Sequence, residues 1–345
     1  MGDVETRFSD RYETARDKFR AATAQLPHGA IPVVDDYTID WAWSGDAANP
    51  DAVVVTSGLH GVEGYAGSAA QLEMLATPDD TPTLFLHALN PWGMANLRRV
   101  NENNVDLNRN FITSEAGWSG VDAGYALLDG ALNPPSPPRF DFFLLRVAWL
   151  AVRHGYGKLK NALMSGQHSH PKGLQFAGTQ LETGPARLLA FLDEQLIHRR
   201  RVVHIDLHCG RGKFGTYTPL LDGGNTPEQA ARVRDAFGSG LKAWEPDDPL
   251  AYTIRGGLTA EMQRRYRETR LDALTVEFGT YSDLHLLQAF RDENRAHHWA
   301  GANLQHPAKR ALLEGFCPAD HAWRTNVLTH AVEIRRRANA LLAHD

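Results

Sequence analysis

The chain contains little cysteine and no long apolar run. Of its 345 residues only two are cysteine, Cys209 and Cys317, which excludes a disulfide framework and favours a reducing, cytoplasmic location. No stretch of about 18 apolar residues occurs, so we expect no membrane-spanning helix and no membrane partner. Residues 1–26 are charged throughout and lack the apolar segment of a secretory signal peptide.

An excess of positive charge is also missing. The formal net charge is −5, which gives no indication of a nucleic-acid partner. The hydrophobic fraction of 43% and the charged fraction of 22% are ordinary for a soluble globular protein. Internal repeats, blocks of like charge and a convincing linker are absent as well. The sequence therefore predicts a single domain over residues 1–345, and it leaves the oligomeric state open, a homo-oligomer included.

Apolar patterns predict alternating strands and helices. The first amphipathic segment predicts a helix over about 5–26. Strands are predicted at 39–43, 52–56, 83–89, 202–208 and 274–279, and helices at 66–75, about 140–154, 185–196 and most of the chain after 279. Strands that alternate with helices form a sheet covered on both faces. We therefore expect an α/β fold, with a mostly parallel mixed β-sheet flanked by helices on both faces.

Metal-binding side chains follow two of the predicted strands. His60 and Glu63 stand three residues apart, directly after the apolar run that ends at Thr56, and His208 ends the run that begins at Val202. Because the carboxyl ends of parallel strands share one edge of a sheet, these side chains are expected to lie close together. Two histidines and a glutamate form catalytic zinc sites that keep one position open for water. The sequence thus predicts one zinc per chain, held by His60, Glu63 and His208.

Two more polar clusters are expected at the same edge. One is the polar segment 98–109, and the other is Glu277, which follows the apolar run that begins at Leu274. A carboxylate at the end of a buried strand is costly unless it has a partner or serves a site. All the polar clusters are therefore expected within reach of one crevice.

Five segments together resemble the zinc carboxypeptidases of the carboxypeptidase A clan, most closely a bacterial branch labelled a domain of unknown function. They are HGVEG at 60–64, NPWG at 90–93, RRVNENNVDLNRNF at 98–111, HIDLHCG at 204–210 and LTVEFGTY at 274–281. Their order and spacing agree across roughly residues 50–285, and VDLNRNF is the most specific match. The resemblance implies a phosphorylase/hydrolase-like α/β domain and a cytoplasmic zinc metallopeptidase.

The resemblance also assigns roles to the metal-binding residues and a base. His60, Glu63 and His208 correspond to the family's metal ligands. Glu277 corresponds to the general base that takes a proton from the zinc-bound water. A base of this kind completes the proton transfers of hydrolysis near neutral pH.

Further roles fall on the segment 98–109. Arg99 is the better match for the arginine that polarises the scissile carbonyl, with Arg98 as the alternative, and Arg98 is also expected among the substrate-binding residues. Asn108 and Arg109 correspond to the pair that binds the free carboxylate of the substrate. A guanidinium suits this role because it offers a carboxylate two parallel hydrogen bonds.

Three functions remain open on this evidence. The first is a carboxypeptidase that acts on small peptides. The second is a zinc amidohydrolase of the aspartoacylase or succinylglutamate desuccinylase type, which acts on N-acyl amino acids with a similar set of residues. The third is a catalytically inactive binding protein on the same fold.

Several residues near the motifs have two interpretations. Asp206 either orients a ligand histidine or makes a simple buried hydrogen bond, and Cys209 is expected to be a small buried thiol. The pair His168 and His170 belongs to a surface loop or to a second metal site. The mobile tyrosine of the digestive carboxypeptidases corresponds to the region 251–257, where Tyr252, Arg255 or neither takes its role.

Overall fold

The chain forms an eight-stranded β-sheet covered by helices, in a computed structural model that describes residues 4–114, 118, 123–221, 225–238, 241–243 and 255–343. The strands are β1 (His28–Val34), β2 (Tyr37–Ser44), β3 (Asp51–Ser57), β4 (Thr83–His87), β5 (Arg201–Gly210), β6 (Tyr217–Leu221), β7 (Lys242–Ala243) and β8 (Arg270–Gly279). Their order across the sheet is β1-β2-β4-β3-β5-β8-β6-β7. The central strands β4, β3, β5 and β8 are parallel to one another. On either side of them, β2 pairs with β4 and β6 pairs with β8, both antiparallel. The expected mixed sheet is confirmed.

The described residues contain thirteen α-helices. They are α1 (Val4–Arg7), α2 (Tyr12–Thr23), α3 (Gly64–Ala76), α4 (Pro91–Ala95), α5 (Ala123–Leu132), α6 (Phe143–His154), α7 (Tyr156–Met164), α8 (Thr183–Leu196), α9 (Pro227–Phe237), α10 (Leu258–Arg265), α11 (Asp283–Trp299), α12 (Pro307–Phe316) and α13 (His321–Ala343). Among the described helices, none has the length and apolar character needed to cross a membrane.

A hydrophobic core lies on each face of the sheet. Every residue of β3 is buried, and its side chains alternate between the two cores: Val53 and Val55 belong to one, Val54 to the other. Successive side chains of a strand point to opposite faces, so a strand covered on both faces is a continuous apolar run. Helices α2, α3 and α13 cover the first face, and α8 and α10 cover the second.

The N-terminal helix differs from its prediction. The apolar periodicity predicts one helix over 5–26, but residues 8–11 separate α1 from α2, and α2 ends at Thr23. Phe8 in the break is buried, and its ring centroid lies 6.3 Å from that of Trp323 in α13. Ser9 and Asp10 follow, and these residue types favour caps and turns over helix interiors. A tertiary contact thus interrupts a helix that local periodicity would continue.

Strands β1, β6 and β7 are absent from the sequence prediction. β1 contains Gly29 and Pro32, both of which disfavour a strand interior. It forms an edge of the sheet, where a proline is tolerated. β6 pairs with β8 and places Thr218 opposite Glu277, so this short strand bears directly on the site.

Candidate metal and catalytic site

The parallel strands β3, β5 and β8 bring the candidate residues to one edge of the sheet. In the register of β5 and β8, His208 lies directly opposite Glu277. After β3 the chain turns at Gly58, whose φ of 70° favours glycine. The turn leads through His60 into a short 3₁₀ helix, Gly61–Glu63, which continues as α3. His60 and Glu63 are thereby placed beside the end of β5.

The three expected ligands converge. Candidate ligand atoms of His60, Glu63 and His208 all lie within 4.8 Å of one another, and the three side chains are buried. Nδ1 of His60 lies 2.9 Å from Oε1 of Glu63, and Nδ1 of His208 lies 3.0 Å from Oε2 of the same carboxylate. In the described part of the chain, this is the one group of three or more such side chains able to hold a metal ion.

Besides Glu63, each of the two imidazoles contacts a further carboxylate through its other ring nitrogen, Nε2. Nε2 of His60 lies 3.1 Å from Oδ1 of Asp106, and Nε2 of His208 lies 2.8 Å from Oδ2 of Asp206. A carboxylate that accepts from one ring nitrogen fixes the tautomer and turns the other nitrogen toward a metal. Both Nδ1 atoms are therefore presented to the ligand group.

Asp106 is a functional candidate that the sequence interpretation missed. Burial alone would raise its pKa, but the interactions with His60 and Arg99 outweigh burial and lower the pKa of the carboxyl. Its side chain also accepts from the backbone N–H of Asn108 at 3.0 Å, which begins the 3₁₀ turn. The available signal was its place within VDLNRNF.

Glu277 lies beside the ligand group without belonging to it. It borders the same cavity, and its Oε2 accepts from the backbone N–H of Arg211 at 3.3 Å. Burial raises the pKa of Glu277, and the charge of Glu63 raises it further, whereas His208 lowers it. A carboxylate with a raised pKa is suited to accept and return a proton near neutral pH.

Arg99 contacts the ligand group directly. Its Nη1 donates to Oε1 of Glu63 at 2.6 Å, and its Nη2 lies 2.9 Å from Nε2 of His60. The guanidinium carbon lies 5.8 Å and 5.9 Å from the ring centroids of Phe290 and Phe316, so two cation–π contacts also hold the side chain. Arg99 thus provides a positive charge at the wall of the cavity.

Arg98 does not reach the cavity, which corrects the expectation that it binds substrate. Its side chain is fully buried, and Nε donates to Oε1 of Glu293 at 3.0 Å. Nη2 donates to the side-chain oxygens of Asn104 and Asn294 at 2.9 Å and 3.0 Å. The guanidinium is therefore bound by buried partners behind the site, whereas Arg99 points into it.

Arg109 borders the cavity and is held by backbone oxygens. Nε donates to the carbonyl of Met164 and Nη1 to the carbonyl of Asn108, both at 2.9 Å. Its side chain lies against Gly166, where a Cβ would approach Cγ of Arg109 to 3.1 Å. No carboxylate of the described residues forms an ion pair with Arg109, although it is only 2% exposed. Asn108 lies beside it in the lining.

One cavity of about 480 Å³ joins these residues. Its polar end is lined by His60, Arg99, Asn108, Arg109, His208 and Glu277. Most of the remaining wall is apolar and comes from α5, α6, α7, α11 and α12: Leu128, Leu132, Val147, Ala151, Leu159, Leu163, Leu286, Leu287, Phe290 and Phe316. Polar side chains also border it: Lys160, Gln175, Arg211, Thr275 and Asp283. The sequence interpretation gave no expectation for this wall, because nothing local in these helices marks them as neighbours of the metal ligands.

The other sequence candidates fall in different places. Cys209 is buried, and burial raises the pKa of its thiol well above the usual value, in keeping with a small buried thiol. His168 and His170 do not join the ligand group: Nδ1 of His168 lies 2.6 Å from the carbonyl oxygen of Gly178, and Nε2 of His170 lies 3.9 Å from a carboxylate of Asp129. Tyr252 lies outside the described residues.

Comparison with solved structures identifies the fold. Bovine thrombin-activatable fibrinolysis inhibitor, in complex with tick carboxypeptidase inhibitor, is 12% identical with a TM-score of 0.51, and the match covers 95% of this chain and 98% of that chain. A second structure of thrombin activatable fibrinolysis inhibitor gives 12% identity and a TM-score of 0.51, with 93% and 74% covered. Carboxypeptidase A from Helicoverpa armigera is 14% identical with a TM-score of 0.48, with 94% and 73% covered. The chain has the carboxypeptidase fold.

Comparison of the sequence identifies the family. No curated protein matches the chain. Residues 8–330 match the family described as "Protein of unknown function (DUF2817)". This match spans nearly the whole chain and confirms the resemblance found in the motifs. The chain therefore belongs to the DUF2817 family.

Proposed function

We propose that this chain is a zinc-dependent hydrolase that cleaves an amide bond, such as a peptide bond, next to a free carboxylate, in the manner of a carboxypeptidase. The observation that carries the proposal is one cavity end where three candidate ligands, a carboxylate with a raised pKa and two arginines meet. Its substrates are small peptides or N-acyl amino acids. Residues 1–345 act as one catalytic domain.

The ligand group fits one zinc ion per chain. Two imidazole nitrogens and a carboxylate oxygen are ligands of catalytic zinc, which lowers the pKa of bound water from about 15.7 to about 7. His60 and His208 offer Nδ1, because Asp106 and Asp206 hold the opposite nitrogens. Glu63 is suited to ligation because, although burial opposes ionisation, His60 and Arg99 lower the pKa of its carboxyl.

Glu277 is proposed to move the proton. Its carboxylate takes a proton from the attacking water and returns it to the leaving nitrogen, so that one residue serves as base and then acid. The raised pKa suits both steps, since a very acidic carboxyl would not retain the proton. Its position opposite His208, outside the ligand group, leaves the carboxylate available for this role.

Arg99 is proposed to stabilise the negative charge that develops on the carbonyl oxygen during attack. Its guanidinium is already held by Glu63 and by two aromatic rings, so little reorganisation is needed. Arg109, assisted by Asn108, is proposed to bind the free carboxylate of the substrate. The support is a nearly buried guanidinium at the cavity wall that has no carboxylate at ion-pair distance among the described residues, although its charge also acts on Asp106.

A comparison of acid and amide substrates tests this proposal. The zinc-loaded protein is given N-blocked dipeptides with a free C-terminus and the same dipeptides as C-terminal amides. Loss of one partner of a buried charge pair costs about 3–5 kcal/mol, so amidation is expected to reduce cleavage roughly a hundredfold or more. Arg109→Ala should lose most of this preference, whereas exposed Arg267→Ala should retain it. Equal rates on acid and amide would contradict the carboxypeptidase assignment.

A parallel panel of N-acyl amino acids distinguishes the alternatives. Hydrolysis of N-acyl amino acids with no cleavage of dipeptides would identify a deacylase of the aspartoacylase or desuccinylase type on the same site. Chelation of the metal should abolish either activity, and added zinc should restore it. Binding of these compounds with no turnover by zinc-loaded protein would indicate an inactive binding protein.

A further inference from the structure

Helix α6 is apolar on the side that packs against the protein and on the side that faces solvent. Val147 and Ala151 line the cavity. Leu145, Trp149 and Val152, at i, i+4 and i+7, are 67%, 61% and 89% exposed. Large apolar side chains on a helix are typical of the face that packs against the core, yet these three side chains of α6 are open to solvent.

The exposed apolar surface extends beyond the helix. Phe140 and Phe142, in the segment before α6, are 87% and 65% exposed, and their rings contact each other at 5.3 Å between centroids. We call this surface the α6 face: Phe140, Phe142, Leu144, Leu145, Trp149 and Val152. Contiguous apolar patches of several hundred Å² are rare on soluble proteins and mark interaction sites.

Positive charge surrounds the α6 face. Residues 139–158 contain four exposed cations that have no ion-pair partner among the described residues: Arg139, Arg146, Arg153 and Lys158. The single acidic residue in this segment, Asp141, pairs with Arg291 and Arg295 at 2.7 Å and 3.3 Å. A local excess of positive charge is notable because the whole chain carries −5. The patch is thus both aromatic and basic.

We propose that the α6 face docks the protein onto the surface of an anionic phospholipid bilayer. Aromatic and leucine side chains enter the boundary between headgroups and acyl chains, while arginine and lysine attract anionic headgroups. With 12 residues, α6 is too short to cross a bilayer, so it lies on the surface. This proposal revises the expectation of no membrane partner, which depended on the absence of a long apolar run and therefore concerned spanning helices only.

A second copy of the chain fits this face less well. A two-fold symmetric contact places the same patch of each subunit opposite the other. Arg146 and Arg153 are exposed on the same helix, so a symmetric contact through α6 brings the like charges of the two copies together. Anionic lipid instead complements the charge of the patch.

Helix α6 contributes both to the α6 face and to the wall of the cavity. Val147, Ala151 and Tyr156 border the cavity, and Tyr156 is 63% exposed beside the α6 face. The docking itself does not depend on the proposed hydrolase activity.

Vesicle sedimentation tests the proposal with the full chain. Vesicles of phosphatidylcholine with about one third phosphatidylglycerol should sediment the protein, pure phosphatidylcholine should do so much less, and added salt should weaken binding. Trp149→Ser with Val152→Ser should reduce binding roughly tenfold or more. Arg146→Gln with Arg153→Gln should reduce binding to anionic vesicles roughly tenfold and leave binding to neutral ones unchanged.

Matched controls use an exposed apolar residue and an exposed cation elsewhere. Ile197→Ser with Arg267→Gln should bind as the unmodified chain does. Thermal melting checks that every variant is folded, and the arginine pair tests the proposal independently of the apolar pair. No binding to anionic vesicles, equal binding to neutral ones, or full binding by both α6 variants would overturn it. A dimer without lipid affinity, dissociated by the Trp149 and Val152 changes, would identify a second copy as the occupant.

Discussion

Two buried histidines near the ends of parallel strands have opposite surroundings. His208 in β5 lies between Asp206 and Glu63, and although burial lowers its pKa, these carboxylates raise it well above the usual value. His87 ends β4, where it contacts the hydroxyl of Ser68 and stacks on Phe19 at 4.7 Å. Burial lowers the pKa of His87 to about 4. Carboxylate partners, more than strand position, distinguish a candidate metal ligand from a structural histidine.

Adjacent arginines show the same contrast. Arg98 is bound by Glu293 inside the protein, whereas Arg99 contacts Glu63 at the cavity. The two residues have the same chemistry and neighbouring positions, so only their partners separate them. We call the polar groups that face the cavity the functional region. Arg98, one position away from Arg99, lies outside this region and stabilises the fold through its buried partners.

The largest expected effect comes from removing the proton acceptor of the functional region. Glu277→Gln keeps the shape of the side chain and removes its basicity, so turnover should fall by roughly 10²–10⁴ while zinc content stays the same. Exposed Glu268→Gln is the matched control and should retain activity. Near-normal turnover by Glu277→Gln would remove this residue from the mechanism.

The arginine pair separates stability from activity. Arg98→Met leaves Glu293 buried without one partner and should lower the free energy of unfolding by about 3–5 kcal/mol. Arg99→Met should change stability less and lower turnover by roughly 10²–10³. Chemical denaturation and steady-state kinetics measure the two effects. A stable but inactive Arg98→Met protein would reverse the assignments.

His87 should make stability depend on pH in a defined window. Its pKa is about 4 in the folded protein against 6.5 for an ordinary histidine, so folding favours the neutral ring. This stabilisation is complete above pH 6.5 and is lost as the pH falls from 6.5 to about 4. Over that window it amounts to about 3 kcal/mol.

Urea unfolding across this pH range measures the contribution of His87. His87→Gln should remove the corresponding part of the pH dependence, because glutamine does not titrate. Exposed His28→Gln should leave the pH dependence unchanged. Identical pH profiles for the His87 variant and the unmodified chain would contradict the assigned pKa.

The smallest effect is expected from replacing the two carboxylates that contact the ligand histidines. Asp106→Asn and Asp206→Asn should each weaken zinc binding by roughly 10–100-fold, because the partner that orients the histidine is lost. Competition with a chelator of known affinity measures this change. Exposed Asp235→Asn should have no effect. Unaltered zinc affinity in both site variants would show that these carboxylates only fill the core.

Much of the fold follows from local sequence patterns. A strand buried on both faces, such as β3, must be a continuous apolar run, and this pattern is visible without any structure. The break between α1 and α2 is not, because it depends on the contact of Phe8 with Trp323, more than 300 residues away. Edge strand β1 is also hidden, since its glycine and proline are acceptable only at an edge.

Part of the candidate site is likewise predictable from local sequence patterns, and part depends on contacts between distant residues. The strand-end rule and the motifs bring together His60, Glu63 and His208, and the structure places them in one group. Motifs alone do not decide which of the two adjacent arginines, Arg98 or Arg99, faces the cavity. That depends on Glu293 of α11, which binds Arg98 inside the protein. The apolar wall from α5 to α7 follows from packing between helices and strands far apart in the chain, so no local pattern indicates it.

Zinc content measured by elemental analysis tests the central claim most directly. The unmodified chain and the control His28→Ala should each bind one zinc ion per chain at neutral pH. His208→Ala should remain folded and contain little zinc, because the site then has only two of its three protein ligands. Full zinc occupancy in His208→Ala, or the absence of zinc binding by the unmodified chain, would contradict a metal site formed by His60, Glu63 and His208.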